Sequence, residues 1–248
     1  MRIKFLNLNI WYGKLLESVV EFIKRENPDV VSLQEVCDGE KMSPKWLNSW
    51  GTLKKELSYK HVSFAPTFYV VENGIKVNQG QAILSKYPIL NEETFFYDVP
   101  YGEFIFSTED FSLVPRNLQY VILNVQGKKL NIFNTQGIWD KDKSDSKRKI
   151  KMSEKIIEQV SDKNHVILSG DFNITPKTNT IHNIEKILNN PFKDKLNTTV
   201  NFKRKNKANE KESVIDMIFI SSDIKILDSY CPQVDVSDHM PLIIVFEI

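Results

Sequence analysis

The segment Ile167-Leu168-Ser169-Gly170-Asp171-Phe172-Asn173 sets the tightest limit on what this chain can fold into. Its short apolar run reads as a buried strand, and Gly170 breaks the run just before two polar residues. A strand ending this way delivers Asp171 and Asn173 to the carboxyl edge of a sheet, where chemistry concentrates in α/β folds. Side chains alternate along an extended backbone, so these two share a direction while Phe172 packs behind them. A carboxylate beside a carboxamide suits a water and a phosphoryl oxygen held near a divalent cation.

Apolar runs with polar ends recur along the chain. Residues 2–10 carry Ile3, Phe5, Leu8 and Ile10 and predict a first strand that closes by Gly13. From Lys14 to Glu26, Leu15, Leu16, Val19, Val20, Phe22 and Ile23 form a helical stripe stopped by Asn27-Pro28. Residues 29–36 then read as a buried strand whose polar end is Gln34 and Glu35, and strand, helix, strand signals an α/β unit. A helix is expected over 43–57, and short strands over 59–98 with a hairpin at Asn73-Gly74. The aromatic stretch 95–111 (Phe95, Phe96, Tyr97, Tyr101, Phe104, Phe106, Phe111) reads as edge strands over the core, the alternative being a substrate-facing lid or lipid-contacting loop. Gln119–Val125 and Lys129–Thr135 pair around Gln126-Gly127. Helices are expected up to Val160 and over 178–189, and the last strands at Val214–Ile220 and Leu242–Ile248. No repeat or low-complexity linker divides the chain, which predicts one domain over 1–248.

Composition excludes several classes. Hydrophobic residues make up 41% and charged residues 26%, ordinary for a globular protein. A net charge of +1 supplies no global field toward nucleic acid or anionic lipid, so anion affinity must be local. Cys37 and Cys231 are too few for a disulfide framework and are expected to be free thiols, Cys37 as a small buried hydrophobe. No apolar run approaches the roughly 18 residues of a membrane span, and residues 1–10 read as a strand rather than a secretory signal. The expectation is a cytoplasmic protein without membrane insertion or an obligate protein partner.

Collected, the polar strand ends are Asn9, Glu35, Thr135-Gln136, Asp171 with Asn173, Asp216, and Ser237-Asp238-His239. Glu35 and Asp238 are hard oxygen donors of the kind Mg²⁺ takes. His239 can donate to a phosphate oxygen or exchange protons near neutral pH, and Asp216 can hold its other ring nitrogen. His61, His165 and His182 lack such company and read as structural.

The stretches Leu8-Asn9-Ile10-Trp11, Leu33-Gln34-Glu35-Val36, Gly80-Gln81-Ala82-Ile83-Leu84-Ser85, Asn134-Thr135-Gln136-Gly137, Gly170-Asp171-Phe172-Asn173, Ile215-Asp216-Met217-Ile218-Phe219-Ile220-Ser221 and Ser237-Asp238-His239 stand in the order of a known family. Through them the chain resembles the endonuclease/exonuclease/phosphatase superfamily, whose fold is that of pancreatic deoxyribonuclease. The resemblance implies a four-layer α/β sandwich of two facing mixed β-sheets flanked by helices. It also implies Mg²⁺- or Mn²⁺-dependent hydrolysis of a phosphate ester. Carried over, Glu35 is the main metal ligand with Asn9 and Asp238 near the cation, and Asp171 orients or deprotonates the attacking water. Asn173 holds the scissile phosphate, while His239, braced by Asp216, stabilises the developing charge.

One position departs. Many members place His, and others use a tyrosine, where this chain has Gln136, whose amide can bind a phosphate oxygen but has no useful acidity. A metal-bound water, an ester with a good leaving group, or a catalytically silent phosphate-binding module would each accommodate it. For substrate, two basic runs favour a nucleic-acid phosphodiester, in DNA or RNA: Lys141, Lys143, Lys147, Arg148, Lys149 and Lys151, then Lys203, Arg204, Lys205 and Lys207. Asp142, Asp145, Glu210 and Glu212 dilute them, and solvated loops are an equal reading. Trp11 and Trp139 follow site positions and are read equally as stacking or packing residues. A lipid-headgroup or inositol phosphate esterase is the alternative.

Overall fold

A computed structural model describes residues 1–39, 45–105, 111, 113–205 and 212–248. In chain order the elements are β1 (Arg2–Asn9), α1 (Leu16–Glu26), β2 (Val30–Asp38), α2 (Ser49–Glu56), β3 (His61–Glu72), β4 (Ile75–Ser85), β5 (Ile89–Phe96) and β6 (Asn117–Val125). There follow β7 (Lys128–Gln136), α3 (Lys147–Val160), β8 (Val166–Asp171), α4 (Asn179–Glu185), β9 (Asp216–Ile220), β10 (Lys225–Tyr230) and β11 (Leu242–Glu247). The strands form a six-stranded sheet, β10-β11-β1-β2-β4-β3, and a five-stranded sheet, β5-β6-β7-β8-β9.

Alternation along β1 explains the layering. Leu6 and Leu8 face outward, where Leu16, Val19 and Ile23 of α1 and Trp50 and Leu53 of α2 cover them. Ile3 and Phe5 face inward and, with Val30 and Ile83, meet Val121, Leu130, Ile132, Ile167 and Ile218 of the second sheet. On that sheet's far face, Met152, Ile156 and Val160 of α3 and Ile181 and Ile184 of α4 bury Phe133, Leu168 and Phe219. The result is the expected four-layer sandwich, two mixed sheets between helices.

Each sheet contains one parallel pair, β1 with β2 across α1 and β7 with β8 across α3. Parallel pairing puts both carboxyl ends at one edge: Asn9 lies opposite Gln34, and Gln136 opposite Asp171. Antiparallel β9 starts at that same edge, with Asp216 opposite Asp171. At Gly170 a Cβ would come within 2.0 Å of the Thr135 carbonyl, so the break foreseen in the sequence is a point of backbone contact between β7 and β8.

Several elements differ from expectation. Strand β10 was not foreseen: it is a bulged edge strand paired only with β11, and an edge needs little apolar alternation. Helix α1 starts at Leu16 rather than Lys14, because Trp11–Gly13 forms a 3₁₀ turn. Within the expected 43–57 helix, residues 43–44 lie outside the described residues, Lys45–Asn48 is 3₁₀, and Asn48 caps α2 by accepting from the Gly51 N–H at 3.1 Å. Helix α4 ends at Glu185, and the chain beyond it bridges Asn189 to Ile220 of β9. Of the aromatic stretch, Phe95 and Phe96 are in edge strand β5, Tyr97 is buried, and Phe106 lies outside the described residues. Cys37 is buried, and both cysteines are free. No described helix is long and apolar enough to cross a membrane.

Asp145 holds the start of α4, accepting from the N–H groups of Asn179 and Thr180 and from the Thr180 hydroxyl at 2.7–2.9 Å. Burial pushes its carboxyl up, but these donors outweigh it and hold the group below its ordinary value. Its contribution is therefore complete above the unfolded value of about 3.9 and is lost as pH falls through the lower folded value. Asp145→Ala is expected to cost about 1 kcal/mol near neutral pH. Thermal melts of both proteins should converge below about pH 3.

Candidate active site

The bulge in β2 builds one wall of the site. Pairing with β4 slips between Leu33 and Val36, and Glu35 adopts a left-handed backbone with φ of 57°. The slip lets two successive polar side chains serve different places. Gln34 goes into the interior, donating to Asn7 Oδ1 at 2.9 Å and Asn134 Oδ1 at 2.7 Å, while Glu35 reaches the edge. Trp11, Tyr12 and Asn173 also hold positive φ here (51°, 58° and 53°), the strained backbone typical of functional loops.

All eight residues expected at the site converge on this edge, joined across the two sheets. Asn9 Nδ2 donates at 3.1 Å to both Glu35 Oε1 and Asp171 Oδ2. Gln136 Nε2 donates to the same Glu35 oxygen at 2.7 Å. Asp171 Oδ1 accepts from the Asn173 N–H at 3.0 Å, and Asn173 Nδ2 donates to the Gly137 carbonyl at 3.2 Å. His239 Nδ1 lies 2.9 and 3.1 Å from the two Asp216 oxygens. Ser237 Oγ donates to the Asn9 carbonyl at 2.7 Å, tying the loop that carries Asp238 and His239 to β1.

Burial opposes charge on His239, but the Asp216 carboxylate dominates, with Asp238 and Asp171 adding to it, and raises the imidazole to about 9. Its Nδ1 is fixed on Asp216, while the Lys205 ammonium, which opposes charge on the ring, stands 3.3 Å from Nε2. Burial, with Asp238 and Asp171 nearby, pushes Glu35 above the ordinary carboxylate range. A cation would relieve that crowding. Both amides bond Oε1 of Glu35, and Oε2 has no hydrogen bond among the described residues, so a hard oxygen donor is available. Asn9 Oδ1 accepts from the Trp11 N–H at 2.9 Å, and its nitrogen positions Glu35 and Asp171. The ligand-type atoms of Asp171, Asp216 and His239 also lie within 4.8 Å of one another. There, however, the imidazole is already engaged by Asp216, which favours Glu35 as the anchor of a hard cation.

Four residues of this neighbourhood escaped sequence reasoning as site parts. Arg116 is buried and donates from Nη1 to Gln136 Oε1, which fixes the Gln136 amide with its nitrogen on Glu35. Burial lowers the Arg116 guanidinium, while Glu35, Tyr12 and Asp171 support its charge. Tyr12 is held well above its usual range, first by the Glu35 charge and then by burial. Lys149, read as part of a basic run, is fully buried; its Nζ holds the carbonyls of Ser144 and Asn173 at 3.2 Å and Asp140 at 3.0 Å. Lys205 reaches Asp238 and His239 at 3.3 Å each. Arg116 follows Val114-Pro115 with no periodicity to mark it, and a buried lysine looks like any other in sequence.

The sequence model of the Endonuclease/Exonuclease/phosphatase family matches residues 6–239. An uncharacterised protein of Acanthamoeba polyphaga mimivirus, L388, is 26% identical, covering 98% of this chain and 100% of its own length. The fold is shared with an endonuclease/exonuclease/phosphatase from Bacteroides vulgatus: TM-score 0.76 at 18% identity, with 100% of this chain and 99% of that one covered. D. rerio TDP2 complexed with a single-strand DNA product aligns with TM-score 0.71 at 16% identity, covering 100% and 99% of the two chains.

Lys149→Met leaves the Ser144 and Asn173 carbonyls without their buried donor and is expected to cost about 1–3 kcal/mol in denaturant unfolding. The match across the chain, on a sandwich whose strand ends assemble these residues, makes this protein a member of the endonuclease/exonuclease/phosphatase family.

Proposed function

We propose that this protein hydrolyses phosphate esters with a divalent cation, Mg²⁺ or Mn²⁺, held chiefly by Glu35 with Asp238 beside it. The observation that carries this reading is the meeting of Glu35 and His239 from one sheet with Asp171 and Asp216 from the other, at one edge. The cation, when bound, neutralises phosphate charge and acidifies water. Asp171, fixed by Asn9 and the Asn173 N–H, takes one proton from the attacking water, whose oxygen bonds to phosphorus as the bond to the ester oxygen breaks. Asn173 and His239 Nε2 donate to phosphoryl oxygens whose charge grows in the transition state. Gln136, pinned between Arg116 and Glu35, cannot supply the leaving oxygen's proton, which comes from solvent.

A phosphoester of nucleic acid is the proposed substrate class. Exposed Lys141, Lys147, Lys151 and Lys203 suit a polyanion, and TDP2, of the same fold, is described with a single-strand DNA product. Much of the basic charge is internal, however: Arg148 pairs with Asp98, Lys149 with Asp140, Arg204 with Asp235 and Lys205 with Asp238. Lys207 and Glu210 lie outside the described residues. This argues for recognition of a strand end or short stretch rather than a long tract. A lipid substrate is the second reading, favoured by exposed Ile105 and Leu113 beside the aromatic row Phe104, Phe111 and Trp139.

Turnover of single-stranded DNA, abasic duplex, RNA, inositol polyphosphate and sphingomyelin with Mg²⁺ or Mn²⁺ tests this. Asp171→Asn and His239→Ala are each expected to lower turnover by about 10²–10⁴-fold without loss of fold, and chelation should abolish it. Glu35→Ala should weaken metal binding by calorimetry. A chain that binds metal but turns over nothing would be a phosphate-binding module. Gln136→His is expected to raise the rate selectively on esters with poor leaving groups; equal rates would place proton delivery elsewhere.

A further inference from the structure

Residues 201–205 form a clamped loop rather than a solvated charge run. The Asn201 N–H donates to the Asp238 carbonyl at 2.8 Å, and its buried side chain donates to the Ser237 carbonyl at 2.7 Å and to Asp235 at 3.0 Å. Arg204 grips Asp235 in a two-pronged pair with both bonds at 2.7 Å. The N–H groups of Arg204 and Lys205 both return to the Asn201 carbonyl at 3.0 Å. The loop is thus fastened to the segment that carries Asp238 and His239, and it delivers the Lys205 ammonium to that segment's active face.

That ammonium lies 3.3 Å from Asp238 Oδ2 and 3.3 Å from His239 Nε2. Nδ1 is committed to Asp216, so Nε2 is the ring nitrogen that Lys205 faces. A phosphate oxygen approaching Nε2 therefore meets the Lys205 ammonium at once. A phosphodiester offers two free oxygens and one negative charge. A monoester offers three free oxygens and between about 1.5 and 2 negative charges near neutral pH. Beside Asn173, His239 and a cation on Glu35, Lys205 adds one more positively charged donor on the His239 side, which the extra oxygen and extra charge of a monoester can use. We infer that Lys205 makes this site select phosphomonoesters, as on the end of a nucleic-acid strand, over phosphodiesters. A lysine serving only as the ion-pair partner of Asp238 would not discriminate between the two.

The inference rests on the proposed hydrolysis, and two separate measurements keep them apart. p-Nitrophenyl phosphate and bis(p-nitrophenyl) phosphate share a leaving group and differ in the third free oxygen. Native protein should prefer the monoester. Lys205→Gln should lower the monoester-to-diester ratio of kcat/KM by about tenfold or more, mainly through KM, with Lys205→Arg retaining most of it. An unchanged ratio in Lys205→Gln, or a native enzyme confined to diesters, overturns the inference while leaving the hydrolysis standing. Inorganic phosphate, titrated calorimetrically with Mg²⁺ present, reads the same contact without turnover: Lys205→Gln should weaken its binding about tenfold. If neither ester is cleaved, the hydrolysis reading is decided by the substrate panel above. Phosphate affinity then decides the role of Lys205, and equal affinities overturn it.

Discussion

The contact between the two sheets at their carboxyl edge is the constraint on which the rest depends. Asn9 and Gln136 each reach across the sandwich, and the Asp216–His239 pair closes it at a third point. Further in, Gln34 bonds Asn134 and Ser32 bonds Ser169 across the same interface. Buried amide and hydroxyl groups lose free energy without partners, and these cross-sheet bonds form in one register of sheet on sheet. The apolar middle of the sandwich supplies most of the burial but is indifferent to small slides. The polar edge selects the alignment, and that alignment assembles the site.

Local strain follows from the same demand. A regular β2 would send Gln34 and Glu35 to opposite faces, one of them away from the second sheet. The bulge, with Glu35 left-handed, serves both. Asn173 has a comparable conformation, and the buried Lys149 ammonium on its carbonyl holds that turn in place. Strained residues persist only where surroundings over-determine them. Here the surroundings are ionic, which makes the turn sensitive to loss of a single charge.

The layers were legible in the sequence, and so was the edge on which the eight expected residues meet, because polar strand ends survive in local patterns. Gly170-Asp171-Phe172-Asn173 announces its own turn, and the polar ends of β1, β2 and β7 interrupt apolar runs. What escaped was non-local. Arg116 and Lys149 become site residues only when strands and helices from elsewhere bury them. The basic runs, read as a face for a polyanion, turn out to hold internal partners in Asp98, Asp140, Asp235 and Asp238. Pairing of that kind depends on tertiary geometry, and β10 was missed because an edge strand carries no burial signal.

One consequence of the topology concerns the opposite rim. The Gln126-Gly127 turn joins β6 and β7 at their far ends, roughly 30 Å along nine-residue strands from Gln136. Gly127 has open space where a Cβ would stand. That rim is therefore a natural anchorage: a fluorophore, affinity handle or fused domain placed there leaves the polar edge untouched, so the enzyme can be immobilised with its working face outward.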